Sequence, residues 1–161
     1  MMKEASATSV YTTVTVDAPI ADAFSVFTEG IGTWMPPEYN MLKVPIAKRV
    51  FEPFAGGRVY DRGTDGSECH WGQVLVYEPP TRVVIGWKIS PQWQVEADPI
   101  KMSEVDVRFV AEGPNRTRVE LEHRHIDRHG DGWESERDAL GADGGWPGCI
   151  RRFAERFAQR G

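Results

Sequence analysis

The feature that most constrains the fold is a series of short β-strand patterns between residues 43 and 126, separated by turn residues at close intervals. Gly56-Gly57, Thr64-Asp65-Gly66 and Pro79-Pro80 are turn sequences, and the gaps that they occupy are too short for a crossover connection. Consecutive strands are therefore expected to pair antiparallel, as in a meander. The predicted strands cover residues 44–52, 57–62, 68–78, 82–89, 103–111 and 116–126.

Patterns on either side of this series predict a further strand and helices. Residues 9–16 are rich in β-branched side chains and predict a first strand. Pro19 suits the first turn of a helix, and the segment up to Trp34 has room for two short helices. A C-terminal helix is predicted by an apolar stripe at helical spacing, which consists of Trp146, Ile150, Phe153 and Phe157. This stripe would cover the apolar face of the sheet.

The 161 residues have the length of one domain. We predict a single domain of the α+β class over residues 1–161, in which an antiparallel sheet of about seven strands is covered by a long C-terminal helix. Residues 1–8 are expected to be a disordered tail. Residues 90–102, which include Trp93, are expected to form a long loop over one end of the sheet.

The composition argues against several classes of partner. The net charge of −5 is the wrong sign for attracting a phosphate backbone, so no nucleic-acid partner is expected. The sequence has no apolar run of the ~20 residues needed to cross a membrane and no signal peptide, so we expect a cytoplasmic protein without a membrane partner. Cys69 and Cys149 are far apart in sequence, which predicts two buried and inert thiols. No cofactor or metal is predicted.

Several short motifs in a fixed order cover residues 9–158. They are residues 17–19 (DAP), 51–58 (FEPFAGGR), 71–74 (WGQV), 78–80 (EPP), 84–87 (VIGW), 117–123 (TRVELEH) and 145–147 (GWP). In this order they resemble the AHSA family, named after activators of the heat-shock chaperone ATPase, within the START-like (SRPBCC) superfamily. Residues 84–88 and 116–130 also resemble the branch of that family that includes a calicheamicin self-resistance protein.

This resemblance implies the helix-grip fold, in which a bent sheet grips a long helix and leaves a cavity between them. In relatives the cavity receives lipids, sterols, polyketides or hormones. Large aromatic side chains facing inward could line such a cavity or simply fill the core, and both interpretations remain open at this stage. The candidate ligand-binding residues are Trp34, Trp71, Trp87, Phe109, His123, Trp146 and Ile150. A β-bulge near Gly72 would reverse the direction in which Trp71 points.

A histidine cluster follows the last predicted strand. His123 and His125 would project to the same face of a continuous strand. Together with Asp127 or His129 they could bind a divalent metal, or His123 could act as a general base. The alternative to a chemical role is that His123 is a hydrogen-bonded residue in the wall of the pocket, while His125 and His129 are exposed to solvent at the end of the strand.

The sequence leaves four functions to be compared. The first is the binding of a small hydrophobic or aromatic ligand between the sheet and the last helix, by a monomer or homodimer. The second is a polyketide cyclase or hydrolase that uses the same pocket, with catalysis mainly by positioning. The third is antibiotic sequestration or self-resistance. The last is a co-chaperone that stimulates the heat-shock chaperone ATPase.

Overall fold

Seven strands form an antiparallel sheet in the computed structural model, which describes residues 7–158. They are β1 (Val10–Val16), β2 (Ile46–Phe51), β3 (Arg58–Gly63), β4 (Glu68–Glu78), β5 (Arg82–Trp87), β6 (Ser103–Gly113) and β7 (Arg116–Arg124). Their order across the sheet is β1-β7-β6-β5-β4-β3-β2. The first strand therefore pairs with the last, and the other neighbours follow one another along the chain. This arrangement confirms the predicted meander and fold class.

Helices cover one face of the sheet. They are α1 (Ile20–Phe27), α2 (Trp133–Gly141) and α3 (Trp146–Ala158), with 3₁₀ turns at Ile31–Thr33, Pro99–Lys101 and Ile126–His129. The first helix and the first 3₁₀ turn are the two short helices predicted after β1, and α3 is the predicted C-terminal helix. Helix α2 has no counterpart among the predicted elements.

The apolar stripe of α3 is buried against the core, as its spacing predicts. Phe153 lies at the centre of this packing, with its ring centroid 5.4 Å from that of Phe27 and 5.7 Å from that of Trp34. Edge-on contacts of this kind add to the stabilisation of about 1.5–3 kcal/mol that burial of one large apolar side chain gives. Aromatic rings from α1, α3 and the segment between α1 and β2 thus pack together in the core.

Irregularities in strand pairing bend the sheet around the helix. The pairing of β3 with β4 shifts its register, because Val59 pairs with Gly72 whereas the next residue, Tyr60, pairs with His70. Trp71 is the extra residue of this β-bulge. Its side chain is buried on the covered face of the sheet. The bulge near Gly72 that the sequence analysis considered is therefore present.

The two predicted irregular regions are partly structured. Residues 1–6 of the predicted tail lie outside the described residues. The Ala7 carbonyl accepts from the side-chain Nη1 of Arg137 (2.8 Å), and the Thr8 carbonyl accepts from the backbone N–H of Ile126 (3.0 Å). The predicted loop over residues 90–102 begins with a small hairpin, since Ile89 and Val95 form a β-bridge. Within residues 7–158, the helices are all too short or too polar to cross a membrane.

Candidate functional site

An open cavity of about 550 Å³ lies between the sheet and the segments packed over it. On the sheet side, the cavity is lined by Asp61 of β3, Trp71 of β4 and Trp87 of β5. The other lining residues lie in residues 35–41, in the hairpin after β5 (Ile89, Trp93) and at the α2–α3 junction (residues 139–149). Most of these side chains are apolar, and Glu38, Asn40 and Asp61 are polar members of the wall. A volume of this size is within the range of pockets that bind small molecules.

The structure places three of the seven candidate ligand-binding residues on the cavity wall: Trp71, Trp87 and Trp146. The other four lie in the packed core beside it. The Trp34 ring packs at a tilt against Phe27, with ring centroids 4.9 Å apart, and its indole N–H donates to the Val26 carbonyl (3.1 Å). Phe109 packs edge-on against Phe24 and Phe27 at 5.2 and 5.7 Å, and Ile150 and His123 are fully buried.

The three wall tryptophans form a connected cluster. The ring centroids of Trp71 and Trp87 are 5.4 Å apart, and those of Trp87 and Trp146 are 5.7 Å apart. Each indole N–H donates to a buried acceptor of the protein: Trp71 to Asp61 Oδ1 (3.2 Å), Trp87 to Glu136 Oε2 (3.2 Å) and Trp146 to His123 Nδ1 (3.0 Å). Because the polar edges are satisfied internally, the rings present apolar surface to the cavity.

A buried ion pair holds one side of the wall in place. Asp61 accepts two hydrogen bonds from Arg49, from Nε at 2.7 Å and from Nη2 at 3.3 Å, and both side chains are almost fully buried. The same guanidinium donates to the carbonyls of Met35, Pro36 and Tyr39, at 3.3, 3.2 and 2.7 Å. Arg49 therefore ties the irregular segment over residues 35–41 to the sheet. Because these hydrogen bonds use the N–H groups of its guanidinium, none of them is left to donate to a ligand in the cavity.

Behind Trp146, a hydrogen-bonded chain links two histidines through Ser103. The Trp146 indole can only donate, so Nδ1 of His123 is an acceptor and its Nε2 carries the proton. That Nε2–H donates to Ser103 Oγ (2.8 Å), and the same oxygen forms a hydrogen bond of 2.7 Å with Nε2 of His129. Nδ1 of His129 has no hydrogen-bond partner within residues 7–158.

The histidine cluster differs from the sequence prediction. Strand β7 ends at Arg124, and His125 turns into the left-handed region (φ 61°), so His123 and His125 do not share a strand face. His129, considered as a solvated residue, is buried. Residues 7–158 contain no group of three His, Cys, Asp or Glu side chains placed to hold a metal ion.

Both buried histidines are held neutral. Burial, together with nearby His129, lowers the pKa of His123 to about 3. Burial also lowers the pKa of His129, an effect that Glu96 opposes. Since both ring nitrogens of His123 are engaged in hydrogen bonds and the ring lies behind the wall, His123 positions Trp146 rather than meeting a ligand as a general base.

A family model now identifies the chain. The model of activator of Hsp90 ATPase homolog 1-like proteins (AHSA1) matches residues 17–158, which is most of the sequence. The protein belongs to the AHSA1 family. The resemblance stated from the motifs is confirmed, and the range matched includes every residue of the cavity wall.

Solved structures similar to this AHSA1 protein include two with more than 30% identity. Txn09, an anthrahydroquino-gamma-pyrone synthase complexed with SUM, is 39% identical over 92% of this chain and 96% of its own, with a TM-score of 0.66. CalC, a self-sacrificing resistance protein from Micromonospora echinospora, is 34% identical over 96% of each chain, with a TM-score of 0.69. The predicted branch of the family is therefore also confirmed.

A third similar structure supports the fold alone. PFC0360w, an HSP90 activator from Plasmodium falciparum, is 23% identical over 83% of this chain and 86% of its own, with a TM-score of 0.55. Identity at this level does not carry the co-chaperone function to the AHSA1 protein. Among curated proteins, a search found no match.

Several wall residues of the AHSA1 protein were not proposed from its sequence. Met35 and Tyr39 follow the Ile31–Thr33 turn in a segment without periodicity, and Ala139 belongs to the unpredicted helix α2. Cys149 lies one turn from Trp146 on the inner face of α3, a signal that helical spacing does contain. Burial raises the pKa of the Cys149 thiol, which favours the protonated and unreactive form expected for this residue.

Glu136 is a buried carboxyl group directly behind the wall. Its Oε2 accepts the N–H of Trp87, and its Oε1 has no hydrogen-bond partner within the described part of the chain. Burial raises the pKa of Glu136 to about 7, although the hydrogen bond from Trp87 acts in the opposite direction. At neutral pH the AHSA1 protein therefore carries a partly protonated acid in contact with the cavity cluster.

Glu136→Gln is expected to change how stability depends on pH. Folded Glu136 keeps its proton up to pH ~7, whereas the unfolded chain loses it near pH 4.3, so the stability that Glu136 contributes is lost as the pH rises towards 7. Between pH 5.5 and 8, the free energy of unfolding should shift in favour of the variant by about 2 kcal/mol relative to wild type. Urea unfolding at several pH values measures this shift.

Trp87→Phe is the matched variant for this measurement. Removing the indole N–H takes away the interaction that lowers the pKa of Glu136, so the loss of stability with rising pH should extend to higher pH and become larger than in wild type. Identical pH profiles for wild type and Glu136→Gln would contradict the account of this carboxyl group.

Proposed function

We propose that the AHSA1 protein binds a flat, largely apolar aromatic molecule in the cavity between the sheet and α3. The observation that carries this proposal is the cluster of Trp71, Trp87 and Trp146, whose N–H groups all donate to protein acceptors while their rings border an open space of about 550 Å³. Ring faces of this kind favour stacking or edge-on contact with another aromatic system. The few polar wall residues suit a ligand with polar groups at its edge.

The relatives support this class of ligand. Txn09 is by name a synthase of an anthrahydroquino-gamma-pyrone, a fused-ring aromatic product. CalC is by name a resistance protein. Sequestration of an aromatic antibiotic would use the same cavity and is therefore one biological setting of the proposed binding, rather than a different site.

A second candidate is ring closure of an aromatic polyketide in this cavity. The identity of 39% with Txn09 favours it. The site would act mainly by holding a reactive substrate in a productive geometry, because Asp61 is fully paired with Arg49 and His123 lies behind the wall. Formation of a new product after incubation with an uncyclised polyketide precursor, detected by mass spectrometry, would distinguish catalysis from binding alone.

Calorimetric titration with 1,8-dihydroxyanthraquinone, a flat three-ring probe, tests the binding proposal. Wild type is expected to bind one equivalent. Ala139→Trp should block binding, since Ala139 is an exposed residue of α2 on the cavity wall and a tryptophan there would enter the space. Ala158→Trp is the matched control, because Ala158 is exposed on α3 away from the wall. Equal binding by both variants would place the site elsewhere and contradict the proposal.

A further inference from the structure

Trp93 lies at the mouth of the cavity, on the small hairpin that follows β5. Its side chain forms part of the cavity wall and is nevertheless 49% exposed. Tyr39, on the separate segment that Arg49 ties to the sheet, is also part of the wall and is 48% exposed. Two aromatic side chains from different segments thus keep about half of their surface in water at the edge of an apolar pocket. That surface is available to a ligand.

The backbone of Trp93 is in an unfavourable conformation. Its φ of 58° is in the left-handed region, which glycine and asparagine adopt readily and a bulky residue adopts only at a cost in free energy. Strained residues of this kind persist where the surrounding structure holds them, and they cluster at ligand-binding and active sites.

The hairpin imposes this conformation through its backbone. Ser90 N donates to the Gln94 carbonyl (2.7 Å), and Trp93 N donates to the Ser90 carbonyl (2.8 Å). The bridge between Ile89 and Val95 closes the hairpin. None of these bonds uses the indole of Trp93, so a smaller residue suited to positive φ would form the same turn with less strain. The hairpin itself therefore gives no reason for a tryptophan at this position.

We propose that Trp93 is a specificity-determining residue that closes over the outer face of the bound ligand. The ligand is then a fused-ring aromatic molecule held between the buried indole cluster and the exposed indole of Trp93. Tyr39 borders the same opening. This inference rests on the proposed function, since it describes how the same cavity selects its ligand.

Three proteins titrated with 1,8-dihydroxyanthraquinone test the inference: wild type, Trp93→Asn and Trp93→Phe. Trp93→Asn relieves the strain and removes the ring, so its affinity should fall at least tenfold, while its thermal unfolding midpoint stays equal to that of wild type or rises by about 2–4 °C. Trp93→Phe keeps an aromatic ring in the same place, and its affinity should remain within about threefold of wild type.

The outcomes separate the two proposals. Binding by wild type together with equal affinity of Trp93→Asn would overturn the role of Trp93 and leave the proposed function standing. A marked fall in the unfolding midpoint of Trp93→Asn would show that the indole serves the fold, which also overturns the inference. Failure of wild type to bind the probe would overturn the proposed function, and this inference with it.

Discussion

Replacing Arg49 with methionine is expected to lower the free energy of unfolding by about 3–5 kcal/mol. The variant leaves Asp61 as an unpaired carboxylate in a nearly water-free site and removes three hydrogen bonds to the carbonyls of residues 35–39. Since residues 35–41 form one side of the cavity wall, binding of 1,8-dihydroxyanthraquinone should weaken along with stability. Urea unfolding and calorimetry measure the two effects.

Arg62→Met is the matched control for this prediction. Arg62 pairs with Glu68 at 2.9 Å on the neighbouring strands, and both side chains are substantially exposed. The loss should therefore be below about 1 kcal/mol. In the double variant Arg49→Met/Asp61→Leu the buried charge is gone, and much of the lost stability should return. A loss at Arg49 as small as that at Arg62 would show that the buried pair does not anchor the wall.

Acidification is expected to destabilise the protein through His123. The pKa of His123 is about 3 in the folded protein and ~6.5 in the unfolded chain, so below pH 6.5 the unfolded chain takes up a proton that the folded protein does not. Stability is therefore lost as the pH falls, by about 3 kcal/mol between pH 6.5 and 4 from His123 alone. The lowered pKa of His129 acts in the same direction, while Glu136 acts in the opposite one.

His123→Asn separates this titration from the hydrogen bonds. Asparagine can accept the N–H of Trp146 but does not titrate, so the difference in unfolding free energy between variant and wild type should shrink by about 3 kcal/mol over the same pH range. Ser103→Ala is the control: it breaks the link to Nε2 of His123 while the imidazole stays buried, and its acid sensitivity should persist. A pH-independent difference for His123→Asn would contradict the assignment of a buried neutral histidine.

The strands and α3 could be predicted because local sequence chemistry and tertiary packing agree there. Turn residues such as Gly56-Gly57 and Pro79-Pro80 separate patterns of period 2, and each predicted strand is found within a few residues of its expected bounds. Helix α2 could not be predicted for the opposite reason. Its residues are mostly polar and it buries Glu136 together with Leu140, so it carries no apolar stripe at helical spacing.

Only part of the site could be predicted, because the sequence pattern does not show what covers each residue of the sheet. Residue parity indicates which side of a strand a residue faces, but not whether it lies under the cavity or under a helix. Phe109 and His123 face the covered side of the sheet as expected, yet α1 and Trp146 cover them. The pairing of Arg49 with Asp61 and the hydrogen bonds from Arg49 to residues 35–39 depend on contacts between separate segments, which a single sequence does not contain.

Whether an aromatic ligand lies against the wall tryptophans can be read from the six indole N–H signals of the protein in a proton–nitrogen correlation spectrum, assigned by single Trp→Phe variants. Addition of 1,8-dihydroxyanthraquinone should shift the signals of Trp71, Trp87, Trp93 and Trp146. The signals of Trp34, bonded to the Val26 carbonyl in the core, and of Trp133, outside the wall, should stay in place. Shifts confined to Trp34 or Trp133, or unchanged signals under saturating probe, would contradict the account.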